Sequence, residues 1–496
     1  MKPNKFKGRF SKCYASAIEF MLKYKTSLLI AYLVSSVILF FVQFSIFENW
    51  DMLTRILGGN FLLHNGFYFE PARALLESLI MGLLAFPFGV YAVYAFIVVG
   101  VALFALAIYR FSSAFSIDPL LLLLVFLNPL FIEFFASNGS EMFVIPFLML
   151  AIAEIKNKSY LSGLFFALAF VSKYYALFFL PLLIFVFFGE HILSSIKKLI
   201  ANIAIFIAAL TPFFLYNLFV YGNVLYTFAL AYLNFGVEEG PAPYFVFTGL
   251  VELSIPVALL LVVFLLHRKG MFSVPRKRFM DIAMLAIATL IGVYVYNDTG
   301  YLLLFGTNAY RYFMPAFAFS LLLAALFIDK TDLPWLAVFS TISLVLVAIV
   351  LSTSYTAAYQ GNAATQSAVA YFQSVYGTTN CTVYSNNWVP LDYYGLPASA
   401  PPAYSLTQYN GTPIVSFGTY NTSFQLLFNS GNIYIYGGNY CKFHKIQLSF
   451  LSSYNAYLLH TGQSTIPNDP CLWLFGMSPN VPALNGICSY FTTVLS

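Results

Sequence analysis

Residues 89–110 read GVYAVYAFIVVGVALFALAIYR, with no charge before Arg110. A helix rises about 1.5 Å per residue, so some 20 apolar residues cross the roughly 30 Å hydrocarbon layer of a bilayer. The run is apolar on every side. A barrel strand would alternate apolar and polar positions, so a membrane β-barrel is excluded. Similar runs recur to about residue 351. Of 496 residues, 60% are hydrophobic and 9% charged, with mean hydropathy +0.80. Soluble domains carry charge on about a quarter of residues, and disordered chains lack this apolar content. The net charge of +5 does not point to nucleic acid, because the basic residues are scattered through short loops.

Working outward from that run predicts eleven spans, at 26–46, 89–109, 119–136, 142–155, 160–172, 174–189, 199–219, 244–266, 281–297, 310–328 and 334–351. The segment 75–88 reads as an amphipathic or re-entrant helix of the first outer loop. Lys2, Lys5, Lys7, Arg9, Lys12, Lys23 and Lys25 precede the first span and hold the N-terminus in the cytoplasm. No cleavage site of small residues follows that span, so it reads as a retained anchor. This threading leaves eighteen basic residues inside and six outside: Arg55, Arg73, Lys173, Arg311, Lys442 and Lys445. Joining 160–189 into a single span lowers the ratio to thirteen against ten and buries Lys173, so a hairpin is favoured.

Composition changes near Ser352. Residues 352–496 are rich in Asn, Ser, Thr, Tyr and Gly, with Asp392, Asp469, Lys442 and Lys445 as the charged residues. A helix is expected over 362–376 and strands over 382–385, 413–417 and 432–436. The chain therefore divides into a cytoplasmic segment (1–25), a transmembrane domain (26–351) and an extracytoplasmic α/β domain (352–496). Cys381, Cys441, Cys471 and Cys488 all fall in the last part and allow two disulfides; neighbour pairing is preferred among three connectivities. Glycosylation sequons at Asn380, Asn410, Asn421 and Asn138 lie on the same predicted side.

No phosphate loop, dinucleotide fingerprint, zinc-protease helix or paired CxxC is present. Polar chemistry gathers instead in the outer loops. Glu48 and Asp51 follow the first span, where a carboxylate meets membrane-bound and external substrates and can act as general base. Glu141 opens a short span, Lys173 stands at an outer turn, and Arg311 lies at the outer end of a span. Basic residues are disfavoured on the outer side, so Arg55, Arg73, Lys173 and Arg311 need a reason. One is a phosphate at the interface, which Arg grips bidentately and Lys as a point charge. The other is pairing with Glu48, Glu70, Glu77 or Glu141, or contact with lipid headgroups. His64 orients the base or contacts substrate on the functional reading, and is a plain loop residue on the other. Glu133 and Glu154 are acids near span ends; Glu154 is expected at the inner surface beside Lys156 and Lys158.

The order of these features resembles the polytopic GT-C superfamily of glycosyltransferases. The resemblance rests on Asp51 with Gly59 and Leu62-Leu-His-Asn-Gly-Phe-Tyr, on Glu141 before a short span, and on the stretch from Ser162 through Lys173 to Pro181. Pro212-Phe-Phe-Leu-Tyr-Asn and Arg311-Tyr-Phe-Met-Pro complete it, over about residues 26–330. It implies transfer of a sugar, mannose among the candidates, from a polyprenyl or dolichyl phosphate to a glycan, lipid or protein acceptor at the extracytoplasmic face of the cell membrane. It further implies Asp51 as base, with Glu48 second, and Arg311 and Lys173 on the lipid phosphate, joined by Arg55, Arg73 and His64. The adjacent Asp-Glu of many members is replaced here by acids three positions apart, so both stay candidates. The Trp-Trp-Asp-Tyr-Gly motif of oligosaccharyltransferases is missing, which argues against en bloc transfer to asparagine. The tail resembles the small extracytoplasmic domains of archaeal and bacterial members. No cofactor is required; a divalent metal bridging Asp51 and Glu141 is the alternative. A lipid-linked-sugar flippase is the competing function, and it calls for mid-span polar residues and internal repeats, neither of which the sequence displays.

Overall fold

The computed structural model describes residues 14–46, 50–63, 73–137, 139–187, 192–228, 231, 276–300, 313–328 and 330–376, then 383–385, 388–396, 398–399, 414–417, 425–430 and 433–436. Glu48, His64, Glu70, Arg311, the expected span 244–266, all four tail cysteines and the four sequon asparagines lie outside them.

Up to Tyr376 the described residues are mostly helical. Helices α1 (Lys25–Ile46), α2 (Trp50–Leu62), α3 (Leu75–Phe88) and α4 (Ala92–Phe115) come first. They are followed by α5 (Pro119–Phe126), α6 (Pro129–Ser137), α7 (Glu141–Lys156) and α8 (Ser162–Ser172). A 3₁₀ segment, Tyr174–Phe187, has Pro181 inside it, a residue with no N–H to give an α-helical ladder. Then come α9 (Ile192–Tyr221), α10 (Arg276–Gly300), α11 (Met314–Ala325) and α12 (Leu333–Tyr376). Among the described residues four helices are long and apolar enough to cross a membrane: Lys25–Ser45, Ala92–Phe115, Ile192–Tyr221 and Leu333–Thr353.

Helix α7 is the hub. Every residue from Glu141 to Ile155 is buried, which is what an all-round apolar helix requires. It packs against α4, α8 and the 3₁₀ segment. The peripheral helices carry the opposite signature. Ile30, Val34, Ile38 and Val42 on α1, and Trp335, Val338, Phe339, Ile342 and Val345 on α12, are exposed. In water such stripes would be an aggregation liability; against lipid tails they are at home.

The expected span 119–136 is two helices in the structure. The Asn128 amide donates to the carbonyls of Val125 (3.3 Å) and Phe126 (3.2 Å) while its oxygen accepts from the Phe131 N–H at 3.0 Å. With Pro129 opening α6, that local network replaces the helical ladder at the break. A second difference lies at the compositional boundary. Helix α12, 44 residues long, continues through Ser352, where Ser352 and Thr353 place their hydroxyls on the Ile349 and Val350 carbonyls and so satisfy them within the helix.

The far end of α12 belongs to the C-terminal domain. Its Ala364, Ala368, Val369 and Phe372 bury against Val383, Leu391, Val415, Ile433 and Ile435. Five strands, β1 (Val383–Ser385), β2 (Ala398–Ser399), β3 (Ile414–Phe417), β4 (Leu426–Ser430) and β5 (Ile433–Tyr436), form a sheet of order β2-β1-β3-β5-β4. The β1 pairings are parallel and the others antiparallel. A short helix, α13 (Trp388–Tyr393), packs on α2, where its fully buried Val389 joins the same core as Met52 and Leu53.

Besides bonds within the spans, such as Tyr32 with Thr341 and Ser340 with the Leu124 carbonyl, two groups of polar pairs join distant elements. Lys25–Asp118 (3.0 Å), Arg110–Glu154 (2.7 Å), Lys156–Asp281 and the Tyr14 hydroxyl on the Thr331 carbonyl join residues that the charge reading assigns inside. Arg73–Asp51, Lys173–Glu141 and Tyr174–Thr227 join residues it assigns outside.

Candidate active site

The second group is assembled by α2, the N-terminal turn of α3, the start of α7 and the turn after α8. Asp51 occupies the first turn of α2, where the helix dipole favours an anion. The Asp51 carbonyl accepts from Thr54 Oγ1 (2.8 Å) and Arg55 Nη1 (2.7 Å). Arg73, just before α3, donates Nη1 to Asp51 Oδ1 at 2.5 Å, with 10% of the aspartate side chain exposed. This contact occupies one of the carboxylate's two oxygens.

Two glycines let α2 and α3 touch. A Cβ at Gly59 would lie 2.6 Å from the Gly82 nitrogen and 2.8 Å from the Ser78 carbonyl oxygen. That approach brings Arg55, one turn before Gly59, toward Glu77, five residues before Gly82. Each is the other's strongest charged neighbour. Glu77 is fully buried and both of its carboxyl oxygens lack a hydrogen-bond donor; Arg55 Nε is buried without an acceptor.

Gly139 turns the chain into α7 with φ +76°, within contact of Met52 and Arg55. Glu141 follows, fully buried, with Oε2 accepting from Ser140 Oγ at 2.9 Å and Oε1 paired to Lys173 Nζ. Lys173 leaves the end of α8 in extended conformation and also stands over the Tyr175 ring at 5.2 Å. The Tyr174 hydroxyl lies 3.1 Å from Thr227 Oγ1 and 3.4 Å from the Arg73 carbonyl oxygen. Thr227 is itself fixed by its N–H on Asn217 Oδ1, 2.9 Å away.

Five of the expected residues, Asp51, Arg55, Arg73, Glu141 and Lys173, therefore share one charged cluster. Two of the three basic members are engaged with carboxylates: Lys173 takes Glu141, one of the acids the pairing alternative named, and Arg73 takes Asp51, which it did not name. Two acids belong elsewhere. Glu154 pairs with Arg110, and Glu133 is exposed, its carbonyl accepting from Gln43. Among the described residues no group of three or more His, Cys, Asp or Glu side chains is disposed to hold a metal ion. Asp51 and Glu141 each already carry a cationic partner.

Sequence reasoning named Glu77 as a pairing partner and missed that it is a core member of the cluster. Its signal was there: an acid within the apolar run LLESLIMGLLAF is costly and calls for a role. Tyr174 and Thr227 carried no such signal, because an aromatic residue at a membrane interface is commonplace. Comparison of the chain with protein-family models, with curated proteins and with solved structures finds no match.

Proposed function

We propose that the protein is an eleven-span membrane glycosyltransferase that uses a polyprenyl-phosphate-linked sugar at the extracytoplasmic face. The observation that carries the reading is a cluster of three acids and three bases at one end of an apolar helical bundle, with Asp51, Glu77, Glu141 and Arg55 buried and Arg73 and Lys173 half-buried. Charges are expensive in such a place unless they perform chemistry. The two polar groups described above support the threading, since each joins residues assigned to one side. The docking of α13 on α2 supports placing the C-terminal domain on the side of Asp51.

The ion pairs suggest how the site works. When the donor's phosphate enters, Lys173 and Arg73 turn from carboxylate to phosphate, joined by Arg311 in this scheme, as the phosphate's charge grows while the bond to the sugar breaks. Asp51, relieved of Arg73, accepts the proton of the acceptor hydroxyl. That oxygen bonds to the anomeric carbon from the face opposite the departing phosphate, inverting it, and the lipid phosphate leaves with the bonding pair. No metal enters the scheme.

The test is turnover by the purified protein in lipid vesicles, offered a panel of radiolabelled polyprenyl-phosphate sugars with glycan, lipid and peptide acceptors. Transfer or release of sugar from one donor is the expected result. Movement of intact donor across the vesicle without turnover would replace this reading with a flippase.

A further inference from the structure

Glu77 and Arg55 are not used by the mechanism above. Burying a carboxyl with neither oxygen hydrogen-bonded is among the costlier things a fold can do. Arg73 and Lys173 have each found an acid, and Arg55 and Glu77 face each other across the Gly59–Gly82 contact without forming an ion pair. Glu77 offers two acceptor oxygens and Arg55 an Nε–H donor, all buried, with no protein group satisfying them.

A group that answers both is one that accepts and donates at a single atom, as a hydroxyl does. We infer that Arg55 and Glu77 form a hydroxyl-binding subsite that reads one ring hydroxyl of the donor sugar: Arg55 Nε donates to its oxygen and Glu77 accepts its proton in a hydrogen bond. This rests on the glycosyltransferase reading and deepens it, making Glu77 a specificity determinant separate from the base. The location fits. Arg55 stands one helical turn from Asp51, so a sugar held at this subsite keeps its anomeric carbon near the base.

The experiment compares wild type, Glu77→Gln and Glu77→Leu in vesicles, using the donor that wild type turns over and its monodeoxy analogues. Wild type is expected to reject one deoxy analogue by about ten- to a hundredfold in kcat/KM, the cost of leaving buried polar partners unmet. Glu77→Leu should lose that discrimination, with the defect on the intact donor falling on KM more than kcat; Glu77→Gln should lose part of it. Glu77→Gln should melt close to wild type, whereas Glu77→Leu, which leaves the buried Arg55 guanidinium without its neighbouring acid, should melt lower and remain folded. Unchanged discrimination in Glu77→Leu overturns the subsite while leaving the glycosyltransferase reading standing. Loss of folding in both variants makes Glu77 structural and also overturns it. A wild type that turns over no donor sinks both together.

Discussion

Replacing Gly59 with alanine tests whether the α2–α3 contact sets the geometry of the cluster. The new Cβ would lie 2.6 Å from the Gly82 nitrogen and 2.8 Å from the Ser78 carbonyl oxygen, both backbone atoms that no rotamer change can move. Ordinary contact begins near 3.4 Å, so the helices must part by about 1 Å, a displacement that can lower turnover about a hundredfold when it reaches reacting groups. Overpacking of this kind costs about 1–3 kcal/mol, tolerable in a well-packed bundle. Gly59→Ala should therefore remain folded, with a modestly lower melting temperature, and lose most of its activity. Gly100→Ala is the milder comparison: among the nearest atoms its Cβ meets only the side chain of Met142, whose Cε at 2.7 Å can swing aside and whose Cβ at 3.0 Å must yield by a few tenths of an ångström. The assay pairs initial rates in vesicles with thermal unfolding in detergent. Wild-type turnover by Gly59→Ala would refute the claim that α3 is held in register with Asp51 through these glycines.

Asn202 on α9 is buried and bonds α8 through Ser162 Oγ (2.8 Å) and the Gly163 N–H (2.9 Å), and Asn202→Ala removes both. Interhelical bonds in membranes are worth about 0.6–1.7 kcal/mol each, so unfolding in detergent should show a loss of about 1–3 kcal/mol. Lys173→Met strands the buried Glu141 carboxylate and should cost about 3–5 kcal/mol, whereas the double variant Lys173→Met with Glu141→Leu should recover most of that stability and none of the activity. Recovery of turnover in the double variant would remove both residues from the mechanism. In the C-terminal domain, burial pushes the Asp392 carboxyl from its ordinary 3.8 up to about 6. The folded chain then holds a proton that the unfolded chain has lost, so stability falls as pH rises through that window and is flat above it. The size is about 1–3 kcal/mol. Asp392→Asn should raise the melting temperature at pH 8 and leave it nearly unchanged at pH 4, followed in the full chain by tryptophan fluorescence.

The fold was legible wherever one physical demand ruled. The spans expected at 26–46, 142–155 and 160–172 appear as helices α1, α7 and α8 within a few residues, and the strands expected over 382–385, 413–417 and 432–436 appear as β1, β3 and β5. What escaped were features set by a single side chain. One amide at Asn128 divides the expected span 119–136, and two hydroxyls at Ser352 and Thr353 bond back where α12 passes through a boundary composition had marked. Strands β2 and β4 escaped as well: β2 is two residues long, and Leu426-Leu-Phe-Asn-Ser430 lacks the apolar–polar alternation that marks a strand. At the site, the outer carboxylates and basic residues were legible one by one, because charge beside an apolar span is conspicuous. Their partners were not. Which acid takes which base depends on the Gly59–Gly82 approach and the Gly139 turn, and neither leaves a periodicity to read.

The most direct measurement is the single-turnover rate of Asp51→Asn against wild type in vesicles, with donor saturating and melting temperature recorded on the same preparations. The substitution keeps the shape and the hydrogen bond to Arg73 while removing the charge that accepts the acceptor's proton. The account predicts that transfer falls by about 10²–10⁴-fold, the usual share of a general base, with folding and donor binding retained. Transfer at the wild-type rate from a folded Asp51→Asn would contradict it.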